Sequence, residues 1–147
     1  MATVEKSVLV TFSAQQMFDL VRNVNDYPQF LPWCSTGQAE QLEPLLEKAT
    51  VGIAFSGIKQ SFCTMNRLET NKAIRMALLN GPFKALQGEW VFTELASNAC
   101  KINFRLEYEF SSKILEQLVG PVFHKIANSF VDGFIQRAET LYGTKRA

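Results

Sequence analysis

Residues able to do chemistry are few and scattered in this chain. His124 is the sole histidine among 147 residues. It falls to the side of a helical apolar stripe, where a solvated or hydrogen-bonded ring is expected rather than a proton relay. Glu107 and Glu109 stand at a two-residue step beside Lys101 and Arg105, the pattern of the wet face of a strand, and cross-strand charge pairing accounts for them. No GxSxG elbow, glycine-rich phosphate loop or HExxH pair occurs. Cys34, Cys63 and Cys100 are odd in number and widely spaced, which fits neither a disulfide framework nor a CxxC site; reduced structural thiols are expected. With no catalytic constellation, no metal site and no required cofactor in view, binding is expected rather than turnover.

One charge is better placed. Arg137 lies in helical phase with Phe123 and Phe130, close to the apolar stripe. It either snorkels beside the negative helix end or meets the oxygenated head of an apolar ligand.

Those side chains need elements to carry them. Leu115, Leu118, Val119, Val122, Phe123, Ile126, Phe130, Phe134 and Leu141 recur at three- and four-residue steps, which predicts an amphipathic helix from Ser111 to about Tyr142. Such a helix rises about 45 Å and needs a broad apolar partner. Gly120-Pro121 inside it is expected to kink it. The partner is a sheet. Thr3 to Phe12 alternates as a half-buried strand, and Ser13 with Gln16 has the form of a capping box opening a short helix through Met17, Phe18, Leu20 and Val21. Asp26 can cap a second single turn containing Pro28, and Pro32 stops it.

Six further strands follow. Gln38 to Glu43 reads as a polar edge, and Ala49, Val51, Ile53 and Phe55 alternate up to a Ser56-Gly57 turn. Gln60 to Leu68 leads to a turn at Thr70-Asn71-Lys72, and Ile74, Met76 and Leu78 lead to a loop at Asn80-Gly81-Pro82. Leu86 to Glu94 and Ile102 to Phe110 complete the set. Alternation throughout means one wet face and one covered face, an antiparallel sheet in a single α+β domain, residues 1–147. A helix covers such a sheet along one diagonal only, and the remaining apolar face is filled by side chains or by a ligand.

The net charge of +1 argues against a DNA binder. Lys59, Arg67, Lys72, Arg75 and Lys84 face only Glu69 along the chain, however, and could form a local basic patch. No apolar run approaches a bilayer span, and the N-terminus lacks a basic head before an apolar block. A cytoplasmic protein is expected, with peripheral contact to the inner membrane face left open.

The stretch NVNDYPQFLPWC (Asn23 to Cys34), the FSSKILEQLVGPVF entrance to the last helix and the ending NSFVDGFIQRAETLYG together resemble one family along essentially the whole chain. This is the coenzyme Q-binding, oligoketide cyclase/lipid-transport family of the START-like helix-grip superfamily, which includes bacterial ribosome-association toxins. The resemblance implies a seven-stranded antiparallel sheet wrapped around the C-terminal helix, with two short helices after the first strand. It implies a non-enzymatic pocket for ubiquinone or a related prenyl lipid, supporting respiration. Alternatively, it implies binding to the large ribosomal subunit that inhibits subunit association. The residues expected at the pocket are Tyr27, Phe30, Leu31, Trp33, Trp90, Phe104, Phe123, Ile126, Phe130, Phe134 and Arg137.

Overall fold

The computed structural model describes residues 1–143. Strand β1 (Ala2–Val10) is followed by helix α1 (Ala14–Arg22) and a 3-10 helix (Val24–Gln29). Six strands come next: β2 (Cys34–Glu43), β3 (Leu46–Phe55), β4 (Ile58–Glu69), β5 (Ala73–Asn80), β6 (Phe83–Ala96) and β7 (Ala99–Phe110). Helix α2 (Lys113–Tyr142) closes the chain. The strands form one seven-stranded sheet in the order β1-β7-β6-β5-β4-β3-β2, antiparallel at every pairing. The sequence of hairpins is broken only where β1 returns beside β7.

Local chemistry sets the boundaries. At Ser13 both capping-box bonds are made: Gln16 N donates to Ser13 Oγ at 3.1 Å, and Ser13 N donates to Gln16 Oε1 at 2.9 Å. Ser112 caps α2 by accepting from Leu115 N at 3.2 Å, and the helix continues through Pro121 as one element of 30 residues. The turns at Ser56-Gly57 and Asn71 use positive φ angles of 51°, 79° and 61°, which serine and asparagine tolerate in tight turns. The 3-10 helix lies on β2 at Gly37, where a Cβ would stand 2.2 Å from the Val24 carbonyl oxygen. Only glycine permits that approach.

The period-two pattern separates the faces of the sheet. Along β7, Ile102, Phe104, Leu106, Tyr108 and Phe110 are buried toward α2 and α1. The opposite face is a lattice of exposed ion pairs: Arg75 with Glu69 and Glu89, and Arg105 with Glu5 and Glu107. This corrects the expected basic patch. Arg75 is neutralised from both sides and Lys84 reaches Glu109 at 3.6 Å. Only Lys59, Arg67 and Lys72 of the five make no ion pair among the described residues.

Helix α2 buries Val119, Phe123, Ile126, Ala127, Val131, Phe134 and Ala138. Leu118 and Leu141 of the expected stripe are instead 61% and 49% exposed. Leu141 lies past the last buried residue, Ala138, whereas Leu118 falls between Leu115, which packs on the core, and buried Val119, and faces away from the sheet.

Candidate functional site: a ring-filled cavity under the last helix

Between α2 and the concave face of the sheet lies a small enclosed cavity of about 40 Å³. Five of the expected pocket residues line it: Tyr27, Trp90, Phe123, Phe130 and Phe134. Each arrives by a different route. Trp90 comes from the inward parity of β6 and the three phenylalanines from one face of α2. Tyr27 comes from the 3-10 helix, anchored because its hydroxyl donates to the Val21 carbonyl.

Phe30, Leu31, Trp33, Phe104 and Ile126 are not in the lining but form a second layer behind it. Trp33 packs on Phe130 with ring centroids 5.1 Å apart, and Phe104 packs on Trp90 at 4.4 Å. Leu31 is tucked against Gly133, where a Cβ would come within 2.7 Å of it. Ile126 is buried in the helix–sheet seam.

Arg137 is the clear departure from expectation. It stands outside the cavity, with its guanidinium 5.1 Å from the Phe30 ring centroid and Nη2 donating to Gln29 Oε1 at 3.1 Å. Helical phase brought it to the edge of the stripe, and the 3-10 segment supplies an aromatic face and an amide that hold it there.

The rings hold one another. Phe134 contacts Tyr27, Phe30, Trp90 and Phe130, while Phe123 contacts Phe62, Phe83, Tyr108 and Phe110. Edge-to-face pairs of this kind add to the area they bury. Ligand cavities typically measure 300–1,000 Å³, whereas a single water needs roughly 10–15 Å³. At about 40 Å³ the space is therefore occupied almost wholly by the protein's own aromatic groups. A ligand the size of a quinone is admitted only if rings move.

Sequence reasoning missed the polar part of the lining. Thr64 and Asn66 of β4 line the cavity, and both are buried. Their parity with Phe62 and Leu68 in β4 was the available signal. No acid, lysine, arginine or histidine lines the space among the described residues. Burial pushes the Tyr27 phenol far above its usual range. The lining thus carries nothing that exchanges a proton near neutrality, and what it can do is enclose and hydrogen-bond.

His124 sits elsewhere, in an open surface cleft of about 790 Å³ beside Glu109, Lys113 and Pro121. Its Nδ1 is 3.1 Å from Tyr108 Oη, so the ring is exposed but partnered. Burial raises the Tyr108 pKa, keeping that phenol protonated. No group of three metal-ligating side chains occurs among the described residues, and no helix is long and apolar enough to cross a membrane.

Comparison with known proteins follows this geometry. The family model described as polyketide cyclase / dehydrase and lipid transport matches residues 10–135. The chain is 43% identical, over 97% of its length and 99% of the relative's, to the ribosome association toxin RatA of Vibrio cholerae. A more distant relative is the mitochondrial coenzyme Q-binding protein COQ10 homolog B of Xenopus laevis. It is 24% identical over 94% of this chain and 58% of that protein. Among solved structures, the Zhui aromatase/cyclase of Streptomyces superposes with a TM-score of 0.81 at 13% identity, covering 94% of this chain and 93% of the other. A START superfamily protein from Mycobacterium smegmatis superposes at 0.77 and 19% identity, covering 95% and 98%. Identities this low speak for the fold alone. Sheet order, gripped helix and family match agree: the chain belongs to the polyketide cyclase/dehydrase and lipid transport family, with the START-like helix-grip fold.

Proposed function

We propose that the protein works by binding, without turnover, and that its partner is the ribosome, through the large subunit. The observation that carries this reading is the 43% identity across nearly the whole chain to a relative named for ribosome association. The small, ring-filled cavity supports it indirectly, because a permanently loaded lipid carrier would hold a larger space. The exposed, unpaired cations Lys59, Arg67 and Lys72 are the groups available to meet RNA phosphates. Cosedimentation with purified large subunits tests it. Binding is expected at low salt and should fall steeply as salt rises, since neutralised phosphates release counterions. Absence of binding at low salt overturns the proposal.

A second reading is favoured by the cavity itself: uptake of a hydrophobic molecule, with ubiquinone or a related prenyl lipid as the candidate. A buried apolar space beneath a long helix is the ordinary setting of such a site. Native mass spectrometry of protein purified from its own host is expected to show a bound mass. The fluorescence of Trp90, which lines the cavity, is expected to respond to quinone analogues. Bare protein together with an unchanged Trp90 signal removes this reading. The two readings are compatible, because the cavity is internal and the cations are on the surface.

A further inference from the structure

The inward face of β4 carries a polar pair inside an otherwise apolar enclosure. Thr64 is 5% and Asn66 7% exposed, and both line the cavity. Thr64 Oγ1 donates to Asn66 Oδ1 at 2.7 Å. That bond occupies the amide oxygen and fixes which way the amide faces. The amide nitrogen has two hydrogens to give, and among the described residues it donates neither. It is not one of the fully enclosed side-chain atoms without a partner, of which Arg137 Nε alone is found among the described residues, so its hydrogens stay open to an incoming acceptor.

Charge around the pair narrows what could accept from it. Glu47 of β3 is the register partner of Asn66. Its buried carboxylate is held by Arg22, whose Nε and Nη2 both reach Oε2, at 3.2 and 3.0 Å. No cationic side chain lines the cavity. A ligand with an anionic head would therefore find no counter-charge in the lining, and the nearby cation, Arg22, is already committed to Glu47. A cationic head would lose its water to a ring of aromatics, with the one nearby acid already paired. A neutral oxygen acceptor meets neither obstacle.

We propose that Asn66 selects the ligand: its Nδ2 donates to a carbonyl or ether oxygen of a neutral, otherwise apolar molecule, and Thr64 orients the amide. This rests on the reading above in which the cavity takes a hydrophobic ligand. Admission requires a ring to swing aside, and Phe62 and Phe130 are the ones free to move, because both are only partly buried whereas Phe123 and Phe134 are 2% and 1% exposed.

The test uses the full chain, labelled with nitrogen-15, titrated with three bicyclic probes of similar shape: indane, 1-indanone and indane-1-carboxylate. The expected order of affinity is indanone, then indane, then the carboxylate, with indanone about fivefold to tenfold ahead of indane. The Asn66 side-chain amide resonances should shift with indanone and stay put with indane. Asn66→Leu should bring indanone down to the level of indane and leave indane itself unweakened, while Thr64→Val should reduce the preference in part. If the wild-type protein binds indanone and indane equally, or the preference survives in Asn66→Leu, the selectivity role is overturned while the cavity reading stands. If no probe binds, the cavity reading falls and this proposal with it. Should Asn66→Leu fail to fold, the amide resonances of the wild-type protein decide alone: no shift with saturating indanone overturns the proposal.

Discussion

The two faces of the sheet follow the same alternating pattern to opposite ends. On the concave side, rings from β4, β6, β7 and α2 interlock, and their contacts are close-packed because water has been expelled. On the convex side, Arg75 and Arg105 sit among glutamates at hydrogen-bond distance, yet their side chains remain 53% and 49% exposed. Water and salt screen such pairs, and each contributes little. The inner face therefore carries the stability, and the ion pairs of the outer face add little to it.

Substitutions can break that contrast or sharpen it. The largest effect belongs to Phe134→Ala, which removes the hub of one aromatic cluster. It should cost about 3–5 kcal/mol in urea unfolding; a loss under about 1 kcal/mol would mean the inner face is not the stabilising one. Arg22→Ala lies between the faces, because it leaves the buried Glu47 carboxylate without its partner, and about 1–3 kcal/mol is expected. Glu47→Gln in the same background should recover much of that loss.

Next comes an alkaline transition. Burial pushes the Cys34 and Cys100 thiols up to about 11 from an ordinary value of 9.0. The folded chain holds these protons more tightly than the unfolded one. Their contribution is thus complete below pH 9 and is lost as pH rises toward 11. Thermal melts across that window should show a falling Tm. The fall should be smaller in Cys100→Ala, measured relative to that variant's own value at pH 8. The smallest effect is Arg75→Ala, within about 1 kcal/mol at low salt and smaller still as salt is added. A larger loss there would show that the outer lattice does more than stay wet.

Much of this was legible in the sequence because it obeys short periods. The helix expected from Ser111 begins at Lys113 and ends at Tyr142. Each alternating segment became a strand. Strand ends were harder, because β2 starts at Cys34 and β6 at Phe83, before their alternation becomes visible. Pairing with a neighbour extends a strand past the point where its own pattern speaks.

At the cavity, the phenylalanines of α2 followed from helical phase. Phase gives a direction but no partner, so nothing local revealed that Gln29 and Phe30 would claim Arg137. Asn66 was overlooked for the opposite reason: one polar residue in a strand reads as surface until its parity with Phe62 and Leu68 is followed. Ranking the functions was beyond pattern. The aromatic wealth of the helix favoured a lipid ligand first, and the ribosome comes first in the proposal above only through full-length similarity to a relative named for ribosome association.

One consequence lies at the margin of the sheet. An unpaired edge strand invites another chain to add to it, and long flat edges seed fibrils. At β2, Asn25 Oδ1 accepts from the Ala39 backbone N–H at 3.1 Å, and the 3-10 helix rests on Gly37. The outward hydrogen-bonding position is thereby occupied by the chain itself. Glu40 and Glu43 follow on the same exposed strand, so a second copy would bring like charges together. The short helix thus also covers a position on this edge through which a further strand would otherwise add.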